Sequence, residues 1–357
     1  MVSSRWNWKH WGIGLLSLVI LAALAACAPS PAQAETSGPA LRRPDEGQVQ
    51  TAVASAVAAT FTAQAVSDTS GAPEASATPL PAGEQGAAAT PTPPTPTNTP
   101  LPSATSGPPP TATPDVRPDP AVWASWPILP TVSARAVEIY RQGLAAGNDP
   151  RSFSTIGDCQ SEPNVFLGIY DTNRYFFAKG DEYLQETVDY YQGVFERQSL
   201  SVRDGLSAPS ALSPTWAYAG KCEANENPVQ CELRVHKPAV MFINLGTNWR
   251  ADASTDAYEK YLRQIVELVI ANGTVPVLST KADNVEGGNR INQATARVAH
   301  DYDVPLWNFW ALAQYLPDHG LDKTREDVYL TVEAWDARSY SALEVLDQLR
   351  KEFAKAP

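Results

Sequence analysis

Along the last two-thirds of the chain, short apolar runs alternate with stretches in which apolar positions recur every three or four residues. "SFSTI" (152–156) reads as a strand, and "EYLQETVDYYQGVF" (182–195) carries helical spacing. "SLSV" (199–202) is short and strand-like, closed by Gly205. "PAVMFINLG" (238–246) is almost continuously apolar, as a strand covered on both faces must be. "STDAYEKYLRQIVELVIANG" (254–273) is a helix with Tyr258, Leu262, Ile265 and Val269 on one face. Ser254 or Asp256 can cap its start, and Asn272-Gly273 ends it. A strand at 274–280, a helix at 290–302, a strand at 304–310 and a closing helix at 341–353 complete the pattern. Strands alternating with helices predict a three-layer α/β/α sandwich around a mainly parallel, flavodoxin-like sheet.

The first third lacks this pattern. Arg5 and Lys9 precede "GIGLLSLVILAALAA" (12–26), an apolar run of signal-peptide length that is short for a membrane span. It ends at "LAAC" (24–27), which resembles a bacterial lipobox. That resemblance implies lipidation of Cys27 and a new N-terminus there; ordinary secretion, with cleavage near "AQA" (32–34), is the alternative. Residues 28–120 hold 19 of the 31 prolines and a single aromatic, Phe61. Such a stretch cannot bury enough apolar surface to offset chain entropy, so a disordered Pro/Thr-rich stalk is expected. The organisation predicted is therefore a signal peptide over 1–27, a linker over 28–120 and one folded head over 121–357. An exported head, lipid-anchored to the outer face of the bacterial cell membrane, is the expected location.

Charge narrows the choice of partners. A net charge of −12 offers no basic surplus for phosphate, which argues against a nucleic-acid partner. No zinc-type, calcium-loop or phosphate-loop spacing occurs, so neither a metal nor a cofactor is expected. A monomer that meets an ester or a glycan is the expectation.

In an open parallel sheet, ligands sit beyond the carboxyl ends of the strands. Those ends read Gly157-Asp158-Cys159, Arg203-Asp204-Gly205 and Gly246-Thr247-Asn248, with "LSTKADN" (278–284) after the fourth strand. "GDC", the Gly205 segment, "GTN" and a final "EDVYLT" (326–331) together resemble the blocks of the SGNH, or GDSL, hydrolase family over roughly residues 150–350. The resemblance implies an ester hydrolase. A nucleophile attacks the acyl carbonyl; its own N–H, a glycine N–H and an asparagine amide hold the oxyanion; and an Asp-x-x-His pair supplies the base. Carried over by position, Cys159 stands for the nucleophilic serine, and Gly205 and Asn248 for the oxyanion donors.

The chain departs from that pattern in its chemistry. Cys159 replaces the serine, Tyr329 stands where the histidine belongs, and Glu326 stands where the aspartate belongs. A phenol with its pKa near 10 is a poor base at neutral pH. His319, in "LPDHGL", is the candidate replacement base, with a loop histidine bonded to backbone or water as the plainer alternative. Trp249, where the family usually has aspartate, suits either a sugar face or core packing. Cys222 and Cys231, separated by a short polar loop, are the expected disulfide in an exported protein. Pairing of Cys159 with either of them would end its nucleophilic chemistry. Two functions follow: a cell-surface hydrolase of acyl or acetyl esters, its activity weak or lost, or a retired hydrolase domain that binds a glycan or cell-wall ligand without turnover.

Overall fold

The structure, a computed structural model, describes residue 115 and residues 117–355. The segments expected to be a signal peptide and a linker, Cys27 included, lie almost wholly outside the described residues. The folded head starts slightly before residue 121. Asp119 caps a 3-10 turn over Pro120–Ser125, and this turn buries Trp123 against Trp310 with ring centroids 5.0 Å apart.

Four strands form one sheet: β1 (Asp149–Gly157), β2 (Pro238–Asn244), β3 (Val275–Ser279) and β4 (Leu306–Trp307). They lie in the order β1-β2-β3-β4, and every pairing is parallel. Val202 adds a single parallel bridge to Gly157 on the outer edge of β1. With that bridge counted in chain order, the sheet reads 2-1-3-4-5, the flavodoxin-like order, whose topological switch point lies at the carboxyl ends of the first and third segments. Those ends are Gly157 in β1 and Asn244 in β2, and the candidate site follows directly from them.

The expected strand over 199–202 is reduced to that one bridge because side chains take its hydrogen bonds. Ser199 and Ser201 both donate through Oγ to the Thr155 carbonyl, at 2.7 and 2.9 Å, and the Leu200 N–H donates to Glu232. The strand expected over 304–310 is also shorter. Asn308 caps the next helix by accepting from Ala311 N–H, so the chain turns helical at Phe309.

The helices are α1 (Ala134–Ala145), α2 (Gln185–Tyr190), α3 (Ala208–Ala211), α4 (Pro228–His236), α5 (Thr255–Ala271), α6 (Arg290–Tyr302), α7 (Phe309–Ala313) and α8 (Val332–Ala354). They pack as two groups on the sheet. One contains α1, α2, α7 and α8, and the other contains α3, α4, α5 and α6. The fold is thus α/β with helices flanking a parallel sheet. All of β2 except Asn244 is buried, which explains its continuous apolar run. In α5 the four predicted positions Tyr258, Leu262, Ile265 and Val269 are buried, and Ser254 is the cap. The segment 182–195 is only partly helical: a 3-10 turn over Glu182–Leu184 leads into the short α2, and turns follow at once. The closing helix starts at Val332, nine residues before its predicted start, with Thr331 as its cap. Among the described residues no helix is long and apolar enough to cross a membrane.

Candidate active site

β1 ends at Gly157, and the chain then makes a tight turn. A Cβ on Gly157 would stand 2.3 Å from Ser161 Oγ, so only glycine lets the turn fold back on itself. Asp158 caps the 3-10 turn Cys159–Ser161 by accepting from the Gln160 N–H at 3.0 Å. Its other oxygen accepts from Asn248 Nδ2 at 2.8 Å. Asp158 is buried. Burial pushes its carboxyl up to about 6, against the opposing pull of the Arg338 guanidinium and the Gln160 N–H.

Gln160 joins this turn to the C-terminal block. Its Nε2 donates to the Val328 carbonyl at 3.2 Å, and its Oε1 accepts from Leu330 N–H at 2.8 Å and Trp335 Nε1 at 3.4 Å. Arg338, reaching back from α8, donates to the Gln160 carbonyl at 2.5 Å and stacks on Phe166 at 4.5 Å. Burial pulls its guanidinium down to about 10, so it stays charged at neutral pH. These contacts bring Tyr329 to the turn: Cys159 Sγ and Tyr329 Oη are 3.8 Å apart. The Arg325 guanidinium lies over the Tyr329 ring, 3.3 Å from its centroid.

Gly205 follows the Val202 bridge with φ of +71°, a conformation glycine adopts without strain. Its turn is anchored by Arg203 N–H on the Gly157 carbonyl at 3.1 Å. Asn248, exposed, comes from the turn after β2, and its amide also approaches the Leu206 carbonyl at 3.4 Å. The turns that carry Cys159, Gly205, Asn248 and Tyr329 are therefore linked at one end of the sheet. Glu326 is exposed. His319 is exposed, in a 3-10 turn with φ of +55°. His236 closes α4 beside Glu232, and His300 sits beside Asp301.

Cys222 and Cys231 are joined in a disulfide, and Cys159 is outside it. Trp249 packs edge-on against Tyr258, with centroids 5.6 Å apart, and contacts Tyr261, which makes it a packing residue. Gln160 and Arg338 were not legible as site residues. A glutamine after the nucleophile position and an arginine inside a helix carry no pattern of their own. The one available signal was an arginine on the face of α8 that also carries Ala334, Ser341 and Val345.

Comparison with known proteins gives structural likeness only. No protein-family model matches the chain, and no curated protein matches it. Among solved structures, the psychrotrophic esterase EstA from Pseudoalteromonas sp., inhibited by monoethylphosphonate, is 13% identical with a TM-score of 0.37, over 55% of this chain and 97% of that one. LAE5, an alpha/beta hydrolase enzyme from the metagenome of Lake Arreo, Spain, is 16% identical with a TM-score of 0.37, over 57% and 96%. A GDSL-like lipase from Bacteroides thetaiotaomicron VPI-5482 is 15% identical with a TM-score of 0.34, over 62% and 100%. The chain's own strand order is the flavodoxin-like one, and Cys159, Gly205 and Asn248 follow its strand ends.

Proposed function

We propose that the head is an SGNH-type acyl-ester site with a thiol in the nucleophile position, able to accept an acyl group but slow to release it. The observation that carries this reading is the pairing of Cys159 with Tyr329 at 3.8 Å, where the family pattern pairs a hydroxyl with an imidazole. Attack by the Cys159 thiolate forms an S–C bond to the acyl carbon and breaks the ester C–O bond, and the departing alkoxide takes a proton from solvent. Completing the cycle requires a water to lose its proton to a base. A neutral phenol does not accept that proton at pH 7, and removing the base of such a unit costs on the order of 10⁶ in turnover.

One observation favours the second reading, ligand binding without turnover. The Asn248 amide, the expected oxyanion donor, is already committed to Asp158 at 2.8 Å. An oxyanion would have to compete with a carboxylate for that N–H. Display on the outer face of the membrane through a lipid on Cys27 is part of the same proposal, and its support is the "LAAC" junction alone.

Intact-mass analysis of the natively expressed full chain, after exposure to an activated acetyl ester, tests the reading. An acetyl group that persists on Cys159 supports it, and a chain that turns the ester over without accumulating any adduct contradicts it. The same spectrum reads the lipid on Cys27.

A further inference from the structure

The turn that presents Asn248 rests on a buried ionic cluster that has no part in the chemistry above. Lys281, just beyond β3, places its ammonium 2.5 Å from Asp283 Oδ1 and 2.7 Å from Glu286 Oε2, and it also donates to the Asp283 carbonyl at 3.0 Å. The three side chains are 7%, 4% and 3% exposed. A lysine this buried is tolerated only where its charge is matched, and here two carboxylates match it. The Lys281 backbone is fixed as well: its N–H donates to Asn292 Oδ1 at 2.8 Å, and its carbonyl accepts from Asn292 Nδ2 at 2.9 Å. The cluster is a rigid block at the carboxyl end of β3.

A hydroxyl ties it to the site by a hydrogen bond. Thr247 Oγ1 donates to Asp283 Oδ2 at 2.9 Å, leaving the carboxylate's other oxygen to Lys281. Gly246, with φ of +122°, seats the turn against the block. A Cβ there would stand 2.8 Å from Ile291 Cγ2 and 3.2 Å from Lys281 Cδ. Thr247 is followed by Asn248, whose amide donates to Asp158, and the residue after Asp158 is Cys159.

We infer that Thr247, anchored on the buried Lys281–Asp283–Glu286 block, is the positioning residue that sets Asn248 against Asp158 beside Cys159. The inference deepens the reading of the site proposed above, but it concerns the ground-state geometry, so its test uses no ester. Thr247 touches neither the thiol nor an acyl group and acts only through Asn248. The charged groups that bear on Asp158 are Arg338 from α8, Asp204 from the Gly205 turn and Asp283 from the block itself. A change confined to the Thr247 hydroxyl leaves all three in place.

The experiment is a carboxyl-carbon NMR titration of the full chain labelled with ¹³C-aspartate, with the Asp158 resonance assigned by its loss in Asp158→Asn. Thr247→Val removes the hydroxyl at nearly constant shape. It is expected to raise the Asp158 midpoint by roughly half a unit or more, because the ionised carboxylate loses a donor held in place. Thr247→Ser keeps the hydroxyl and is expected to restore the wild-type midpoint. Thr247→Ala moves it in the same direction as valine, so a valine variant that misfolds leaves the test intact. In an Asn248→Ala background, Thr247→Val is expected to add nothing further, as required of a residue acting through Asn248. A merely structural role would lower the melting temperature and leave the midpoint unmoved, and that result overturns the inference. A shift that adds in full to that of Asn248→Ala overturns it too. Failure of Cys159 to hold an acyl group would count against the ester reading and leave this titration untouched.

Discussion

Cys159 and Tyr329, 170 residues apart in the chain, are held with sulfur and phenol oxygen 3.8 Å apart, and Gln160 does the holding. The glutamine side chain bonds to the backbone at Val328 and Leu330, on either side of Tyr329, while Arg338 grips its carbonyl. With Trp335 Nε1, four hydrogen bonds to one residue thus fix the approach of the C-terminal block to the strand-end turn. What reaches the thiol through this apparatus is a phenol.

Asp158 should leave a mark on the pH dependence of stability. Its carboxyl is raised by burial from 3.8 to about 6, so the folded state favours the protonated form. The stability this group contributes is fully present below the ordinary carboxylate range and is lost as pH rises through about 6. A shift of about two units corresponds to roughly 3 kcal/mol. Relative to the wild type, Asp158→Asn should therefore gain about 3 kcal/mol between ~pH 4 and ~pH 7, on top of a constant offset from its altered hydrogen bonds. Urea unfolding of both proteins at several pH values measures it, and parallel pH curves would contradict the assignment.

The disulfide should stabilise the head without touching the thiol. Cys222 and Cys231 are nine residues apart in sequence, and closing so short a loop is worth about 2–3 kcal/mol in the chain-entropy account. Replacing both with alanine should lower stability by about that amount or somewhat more, since Cys231 is fully buried in α4. Alkylation without reductant should still label one cysteine of the head, Cys159, in the wild type and the variant alike. Labelling of two or three cysteines in the oxidised wild type would contradict the pairing.

The layer order and the strand ends were legible because they depend on periodicity and glycine. The apolar run of β2 and the one-faced pattern of α5 are direct consequences of burial. Four helices, α1, α3, α4 and α7, were not legible. Helix α1 alternates alanine with charged residues, and α4 is announced only by the capping box of Asn227 and Gln230 with Pro228 at its first position. The early start of α8 was hidden because Arg338 and Ser339 are buried polar residues that break the apolar face. In the site, the positions of Cys159, Gly205, Asn248 and Tyr329 could be read from strand ends and motif order. The Asn248–Asp158 bond and the Gln160 clamp could not, since each depends on tertiary contacts between segments distant in sequence. His319 lies in a segment whose local backbone the sequence did not announce. The Pro317–Gly320 turn places Asp318 and His319 in left-handed backbone and leaves the imidazole exposed.

The proposed loss of the catalytic base is open to a direct kinetic measurement. Steady-state hydrolysis of an activated acetyl ester by the wild type and by Tyr329→His, alone and combined with Glu326→Asp and Cys159→Ser, measures it directly. The prediction is very slow wild-type turnover and a gain on the order of 10²-fold on restoring the imidazole, larger when serine and aspartate are restored with it. Robust wild-type turnover that His319→Ala abolishes would contradict the account, because it would show that the base was never lost.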